Sequence, residues 1–322
     1  MDPPSYEDVM AGAGDGMFEP PSPYSPPCVP TAPPPELRTP PPYVSEDVAR
    51  QVLMDYSKKH SFFSSKAATN MQLQKTQTFH THRYRLQTFT ESRKCKWVTV
   101  PYDGKPIDGP GNGPAPKPWE VPVQLPNMFQ AGKKKVRVPH TSRLEVCAYC
   151  KGIGRKKCAK CGGLGKAKKA TGNERSMCGY CNGYRSFMCE DCHGQGHDLK
   201  YIELTVKWKN HPIEFVADHK SDFPSKRFKK VTGEVVFSDE QMSLIPVTGF
   251  PDPSINEASQ KAITQHRLHS ESSKILRQEH RIEWLPLTKV EYTWKNKQYE
   301  FFVYGKEKKV YADNYPMGCA VM

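Results

Sequence analysis

Four copies of one cysteine motif, within residues 147–196, constrain this chain more than any other feature of its sequence. Each copy follows the template C-x-x-C-x-G-x-G, except that the third has Arg185 at the last glycine position. Two thiolates per motif supply half of a tetrahedral zinc shell, so eight cysteines predict two structural zinc ions. The glycines would let the chain reverse beside each ion at positive φ. The predicted ligands are Cys147, Cys150, Cys158, Cys161, Cys178, Cys181, Cys189 and Cys192.

The intervals between the motifs bear on how they pair. Seven residues separate the first cysteine pair from the second, sixteen the second from the third, and seven the third from the fourth. This near-mirror symmetry favours an extended β-hairpin in which the first motif meets the fourth and the second meets the third. The spacing alone leaves open pairing in sequence order, the first motif with the second and the third with the fourth.

A disulfide framework is the main alternative to metal, and it needs an oxidising compartment. The chain opens with Met1-Asp2-Pro3-Pro4, which lacks the basic start and apolar core of a secretory signal. No apolar run approaches the roughly 18 residues that a membrane span needs. We therefore expect a cytoplasmic or nuclear protein whose motif thiols hold metal.

The first 44 residues differ in composition from the rest of the chain. They contain 14 of the 30 prolines, together with six acidic residues and one arginine. Such a segment cannot bury enough apolar surface to offset the entropy of ordering, so we predict that it is disordered. It holds two P-P-x-Y strings, which resemble ligands of WW domains. The predicted partner-binding residues are Pro3, Pro4 and Tyr6, and Pro40, Pro41 and Tyr43.

The last four residues suggest a lipid modification. They are Cys319-Ala320-Val321-Met322, which fits the C-a-a-X pattern for farnesylation and predicts a prenyl group on Cys319. A cysteine four residues from the end also arises by chance. A single farnesyl chain would give only weak membrane association without a second signal.

Hydrophobic periodicity predicts two main helices. Apolar residues recur at helical spacing over residues 45–59, where Ser45 can cap the first turn. The longest helix is expected over residues 254–279. There Ser254 and Glu257 have the spacing of a capping box.

Strand signals predominate elsewhere, so the predicted fold class is mostly β, of the α+β type. The alternating pattern stops at the first cysteine motif and resumes directly after the last one, in Tyr201–Trp208. The motif segment is therefore expected to be an insertion in a β domain. Asn210-His211-Pro212 predicts a turn, and Lys295-Asn296-Lys297 predicts the turn of a final hairpin.

These signals divide the chain into five parts. We expect a proline-rich tail over residues 1–44, a helix with a β segment over 45–146, the cysteine-rich zinc domain over 147–196, a β-rich segment with one long helix over 197–316, and a C-terminal tail over 317–322.

The four cysteine motifs resemble the cysteine-rich domain of DnaJ-type (Hsp40) chaperones. The resemblance implies that one zinc ion is held by Cys147, Cys150, Cys189 and Cys192, and the second by Cys158, Cys161, Cys178 and Cys181. It does not extend to a J domain, because the chain contains no His-Pro-Asp tripeptide. The contact that stimulates Hsp70 is therefore not expected.

The overall plan resembles the Ssu-two homologue family. This plan is a proline-rich start, a β segment before the cysteines and a β-plus-helix segment after them, without a J domain. The vertebrate members are linked with tooth development, so the resemblance implies a developmental role in odontogenesis.

Three functions are compatible with the sequence. The first is a non-enzymatic, chaperone-like module that binds client polypeptides, since four thiolates per ion leave no open position for metal catalysis. The second is nucleic-acid binding, because the chain after residue 44 carries a net charge of +18. The third is a thiol–disulfide isomerase, since C-x-x-C motifs also perform redox chemistry.

Overall fold

The computed structural model describes residues 44–168, 175–269 and 273–317. The tail predicted to be disordered lies almost entirely outside these residues. Both P-P-x-Y strings and Cys319 lie wholly outside them.

The described residues form three α-helices and twelve strands. The helices are α1 (Glu46–Lys58), α2 (Ser65–Thr69) and α3 (Pro253–His269). The strands are β1 (Gln72–Pro101), β2 (Gly132–Arg137), β3 (Arg143–Val146), β4 (Arg155–Lys157), β5 (Lys166–Lys168), β6 (Arg175–Met177), β7 (Ser186–Met188), β8 (His197–Val216), β9 (Glu234–Gln241), β10 (Lys274–Trp294), β11 (Lys297–Tyr304) and β12 (Lys309–Tyr311). The mostly β prediction is confirmed.

One antiparallel sheet of eight strands organises the fold. Its order is β12-β11-β10-β1-β8-β2, with β3 also paired to β8 and β9 to β10. The long strand β1 lies at the centre, between β10 on one side and β8 on the other. Four small strands, β4 to β7, form two separate ladders outside this sheet.

One face of β8 packs into a core. Along β8 the residues Ile202, Leu204 and Val206 alternate with more exposed positions and pack with Cys95 of β1. This period of two is the pattern of a strand with one face in a core.

Two helices cover other parts of the sheet. Helix α1 buries Leu53 against Tyr292 and Phe301. Its N-cap is Ser45, as predicted, and the Ser45 side chain accepts a hydrogen bond from the backbone N–H of Val48 at 3.3 Å. Helix α3 buries Ile255 against Tyr84. None of the helices in the described ranges has the length and hydropathy to cross a bilayer.

The prediction of a helix over residues 254–279 is wrong at its C-terminal end. Helix α3 ends at His269, and residues 274–279 begin β10. Ile275 lies opposite Thr90 in the ladder with β1, so long-range pairing outweighs local helical propensity there. At the start, Asp252 rather than Ser254 acts as the cap, because its carboxylate accepts the backbone N–H of Ser254 at 3.0 Å.

The turn predicted at Asn210-His211-Pro212 is also wrong. These residues continue β8, with Pro212 directly opposite Gln87 of β1. The ladder between β2 and β8 ends at the pair Gly132 and Trp208. Residues 210–212 of β8 therefore lie beyond the end of β2. Proline is tolerated at such an edge because its missing N–H interrupts no ladder.

The final hairpin is confirmed. Strands β10 and β11 pair up to Trp294 and Lys297. The two turn residues, Lys295 and Asn296, have φ values of 50° and 57°. Two successive positive φ values characterise the type I′ turn, whose twist matches that of a β-hairpin.

A buried ion pair joins β1 to β10. Arg83 and Glu283 lie directly opposite each other, with side chains 0% and 5% exposed. Arg83 Nε donates to Glu283 Oε2 at 2.6 Å, and Nη2 donates to the same oxygen. The guanidinium also donates to the carbonyls of Phe228 at 2.8 Å and Val231 at 3.2 Å. The pair therefore fixes the segment around Phe228 against the sheet.

Candidate metal centre

The cysteine segment leaves the sheet and returns to it at one point. Strand β3 ends at Val146, which pairs with His197 at the start of β8. The backbone N–H of Cys147 then donates to the carbonyl of Gly196 at 2.9 Å. Strand β4 pairs with β7, and farther along the segment β5 pairs with β6. The segment is thus a two-tier hairpin between β3 and β8.

Two groups of four cysteine sulfurs are brought together in this hairpin. The group nearer the sheet, called the outer centre, contains Cys147, Cys150, Cys189 and Cys192. The group farther along the hairpin, called the inner centre, contains Cys158, Cys161, Cys178 and Cys181. Within each group the sulfurs all lie within 4.8 Å of one another, and all eight cysteines are buried. The first motif thus meets the fourth, the second meets the third, and sequential pairing does not occur.

The distances between sulfurs fit a tetrahedral ion. The Cys150 and Cys192 sulfurs are 3.7 Å apart, and the Cys161 and Cys181 sulfurs are also 3.7 Å apart. With Zn–S bonds of about 2.3 Å, a tetrahedron separates its sulfurs by about 3.8 Å. A disulfide needs about 2.0 Å. Each centre could therefore hold one metal ion.

Backbone N–H groups point at the sulfurs in a repeating way. Gly154, Gly165 and Gly196 each donate to the second cysteine of their own motif at 3.2 Å. The backbone of Arg185 makes the same hydrogen bond to Cys181 in the third motif. Such bonds stabilise negative charge on sulfur. The last position of the motif thus has a role that the sequence reasoning missed, and its regular spacing from the second cysteine was the available signal.

Two thiols of the inner centre have pKa shifts in opposite directions. Burial opposes ionisation of Cys161, yet hydrogen bonds from the backbones of Gly165 and Gly163 and from neighbouring thiols lower its pKa to about 7. Burial raises the pKa of the Cys181 thiol to about 11. Without a cation, burial and the neighbouring thiols therefore oppose ionisation of Cys181. A bound cation would compensate the accumulated charge and displace the remaining protons.

Arg185 adopts the backbone conformation of the glycines that it replaces. Its φ is 67°, against 74° for Gly154, 75° for Gly165 and 78° for Gly196. The turn of the third motif is therefore preserved despite the missing glycine.

The two centres differ in the space available for a Cβ atom at the last position of the motif. A Cβ atom on Gly154 would lie 2.2 Å from the carbonyl oxygen of Gly194, and one on Gly196 would lie 2.3 Å from that of Gly152. On Gly165 the nearest atoms would be 3.0 Å away. At the last position of the motif the outer centre thus has no space for a Cβ atom, whereas the inner centre is wider.

Alanine substitution should therefore distinguish the centres. We expect Gly154→Ala to weaken metal retention at the outer centre, while Gly165→Ala largely preserves the inner one. Both variants place alanine at positive φ and share that strain, of order 1 kcal/mol. Only Gly154→Ala adds a backbone collision, so we expect a further penalty of about 1–3 kcal/mol. The measurement is metal release during titration with a chromogenic chelator.

The matched reverse variant is Arg185→Gly, which removes a side chain from the same turn. It should retain metal about as well as the unaltered chain, because glycine adopts positive φ without steric strain. Equal metal release from the Gly154→Ala and Gly165→Ala proteins would contradict the difference in space.

Large apolar side chains surround the centres without forming a core. Tyr149, Ile153 and Tyr184 are 69%, 72% and 76% exposed. Leu164, Met177, Tyr180 and Met188 are also exposed. Among the described residues of the hairpin, the buried clusters consist of the two cysteine groups alone. The sulfurs therefore occupy the place that a hydrophobic core has in other small domains.

The chain is similar to three proteins that share one name. No protein-family model matches the chain. A protein from Danio rerio named Protein SSUH2 homolog is 42% identical over 336 residues, covering 98% of this chain and 92% of the relative. The Homo sapiens protein of that name is 36% identical over 349 residues, covering 99% and 92%. The Mus musculus protein is 41% identical over 243 residues, covering 70% and 72%.

Proposed function

The chain belongs to the family of SSUH2 homologues, and on this basis, together with the two cysteine centres, we propose that it is a zinc-stabilised, non-enzymatic module that binds exposed apolar segments of other polypeptides. The hairpin is the binding element, and the sheet anchors it. The proposal also includes binding of WW-domain proteins to the two P-P-x-Y strings of the tail. It further includes a prenyl group on Cys319.

Zinc is the ion that suits the donor set best. Four buried thiolates in a tetrahedral arrangement are typical of structural zinc, whereas calcium and magnesium require oxygen ligands. With all four positions taken by sulfur, neither ion has a site for water or substrate. We therefore assign both ions a structural role and propose no catalytic step. Thiol–disulfide exchange is disfavoured because every motif thiol is committed to metal.

The observation that supports this proposal is the exposure of aromatic and aliphatic side chains on the cysteine hairpin. The Tyr149, Ile153 and Tyr184 side chains are each more than two thirds exposed. The backbone beside them is fixed by turns at positive φ, including Gly152 and Gly183. Apolar side chains held outward in this way mark interaction surfaces. A rigid scaffold lowers the entropy cost of binding.

A permanently unfolded protein is the appropriate probe of this surface. We expect the full-length protein to bind reduced, carboxymethylated α-lactalbumin, measured by fluorescence anisotropy. The double variant Tyr149→Ser/Tyr184→Ser should bind about 10-fold or more weakly, because buried aromatic anchors contribute about 1–2 kcal/mol each at interfaces. Zinc content should be unchanged, since neither side chain is a ligand.

The matched control removes equally exposed apolar groups elsewhere. Phe62 and Leu268 are 75% and 63% exposed and lie outside the hairpin. The Phe62→Ser/Leu268→Ser protein should bind the probe like the unaltered chain. Equal binding by both double variants would place the interaction elsewhere and refute the proposed surface.

A further inference from the structure

Basic side chains form a grid on the neighbouring strands β2, β8 and β1. These three strands lie far apart in the sequence. The register places Lys133, Lys207 and Ser92 in one row across β2, β8 and β1. The next row is Lys135, Thr205 and Lys94, and the third is Arg137, Glu203 and Lys96. Directly opposed residues project to the same face of a sheet. The basic sheet face comprises the six cations in these nine positions: Lys94, Lys96, Lys133, Lys135, Arg137 and Lys207.

The other side of the same strands is core, so this face is rigid. Cys95, Leu204 and Val206 alternate with the grid positions and are buried with Trp208. All six cations are exposed. Neighbouring strands lie about 4.8 Å apart and alternate residues about 6.8 Å apart along a strand. The basic sheet face is therefore a fixed array about 10 Å by 14 Å.

Its charges are poorly compensated. Glu203 is the one carboxylate in the grid, with its Oε1 3.0 Å from Lys135 Nζ and 3.8 Å from Lys96 Nζ. Lys94, Lys133 and Lys207 form no ion pair with any residue that the structure describes.

Two of these uncompensated lysines are direct cross-strand neighbours. Lys133 lies opposite Lys207, a like-charge pairing that destabilises a sheet. A second pair of opposed cations in the same sheet is compensated, since Arg85 and Arg281 contact the carboxylates of Glu214 and Glu279. The fold thus maintains an unfavourable arrangement on this face that an external anion would relieve.

A stacked pair lies at one end of the array. The guanidinium carbon of Arg137 is 4.1 Å from the centre of the Tyr201 ring. Tyr201 precedes Glu203 on the same face of β8, opposite Val98 of β1. Stacked guanidinium and aromatic planes are a platform on which unpaired nucleobases stack. A duplex hides the faces of its bases, so this platform favours a single strand.

We propose that the basic sheet face binds single-stranded nucleic acid through its phosphates, with the Arg137–Tyr201 stack contacting a base. The site is separate from the cysteine hairpin and does not depend on polypeptide binding there. An anionic membrane is the less favourable partner, because the nine grid positions offer no large apolar side chain for insertion into lipid.

The test is binding of a fluorescein-labelled oligothymidylate and an oligouridylate to the full-length protein between 50 and 200 mM salt. For single strands the logarithm of affinity falls with the logarithm of salt by about 0.7 for each phosphate neutralised. The Lys133→Gln/Lys207→Gln protein should lose about 25-fold in affinity at 0.1 M salt, and its slope should fall by about 1.4. The Lys226→Gln/Lys229→Gln protein is the control, since both lysines are exposed outside the grid and should affect binding little.

Lys133→Glu separates binding from folding. It places a carboxylate opposite Lys207, so the melting temperature should rise by about 1–3 °C. Affinity for the oligonucleotide should fall at the same time. A variant that merely damaged the fold would lower both quantities.

Three results would overturn the proposal. The first is no oligonucleotide binding by the unaltered protein at 50 mM salt. The second is an equal loss of affinity in the Lys226→Gln/Lys229→Gln control, which would indicate unspecific attraction by net charge. The third is binding to vesicles rich in phosphatidylserine without binding to oligonucleotides, which would assign the face to membranes.

Discussion

Purified full-length protein is expected to contain two zinc ions per chain, and chelation is expected to unfold residues 147–196. The hairpin has no apolar core among its described residues, so the cysteine centres supply its stability. In zinc-finger peptides one structural ion contributes about 10–16 kcal/mol of apparent binding free energy. Elemental analysis gives the stoichiometry. Hydrogen exchange at the amides of Gly154, Gly165 and Gly196, which donate to sulfur, reports the unfolding.

Single cysteine substitutions should remove one ion each. Cys150→Ser should empty the outer centre and Cys161→Ser the inner one, leaving one zinc in each protein. The matched control is Cys95→Ser, because Cys95 is buried in the core between β1 and β8, outside both centres. Burial raises the pKa of that thiol to about 11, which makes it a poor metal ligand. One ion or none in the unaltered protein, or loss of zinc from the Cys95→Ser protein, would refute the assignment.

Glu283→Gln is expected to destabilise the sheet strongly. It leaves the guanidinium of Arg83, which is fully buried, without its carboxylate. Removing one partner of a buried ion pair typically costs about 3–5 kcal/mol. The freed arginine would also hold the Phe228 carbonyl less firmly, so the segment around Phe228 should become sensitive to protease. The measurement is the free energy of unfolding in urea at neutral pH.

Glu300→Gln provides the comparison for this prediction. Glu300 pairs with Lys289 at 2.8 Å in the same sheet, but its side chain is 51% exposed. Exposed pairs contribute about 0–1 kcal/mol. Equal losses of stability in the Glu283→Gln and Glu300→Gln proteins would show that burial of the first pair does not have the expected effect.

The sequence was most informative where chemistry dictates spacing. Two cysteines that bind one ion need a fixed number of residues between them and a tight turn. The motifs therefore predict two metal centres even without a strand assignment. The final hairpin was equally predictable, because two strand patterns flank a short polar turn at Lys295-Asn296-Lys297. Both signals are local, and their geometry follows from a few consecutive residues.

Features that depend on strand pairing could not be predicted. Pro212 suggests a turn until the partners of β8 are known, and residues 274–279 look helical until they are placed beside β1. The basic sheet face is the extreme case. Lys94, Lys133 and Lys207 belong to three distant parts of the chain, and only the register between strands makes them neighbours.

The central place of β1 has a consequence for synthesis on the ribosome. Strand β1 is complete at Pro101, whereas its partner β10 begins at Lys274. One long edge of β1 must therefore await the synthesis of β10, and unpaired edges template aggregation. A transcript truncated before β10 would yield a polypeptide whose central strand lacks that partner permanently. Nascent chains of this protein should thus depend on cellular chaperones until β10 has been synthesised.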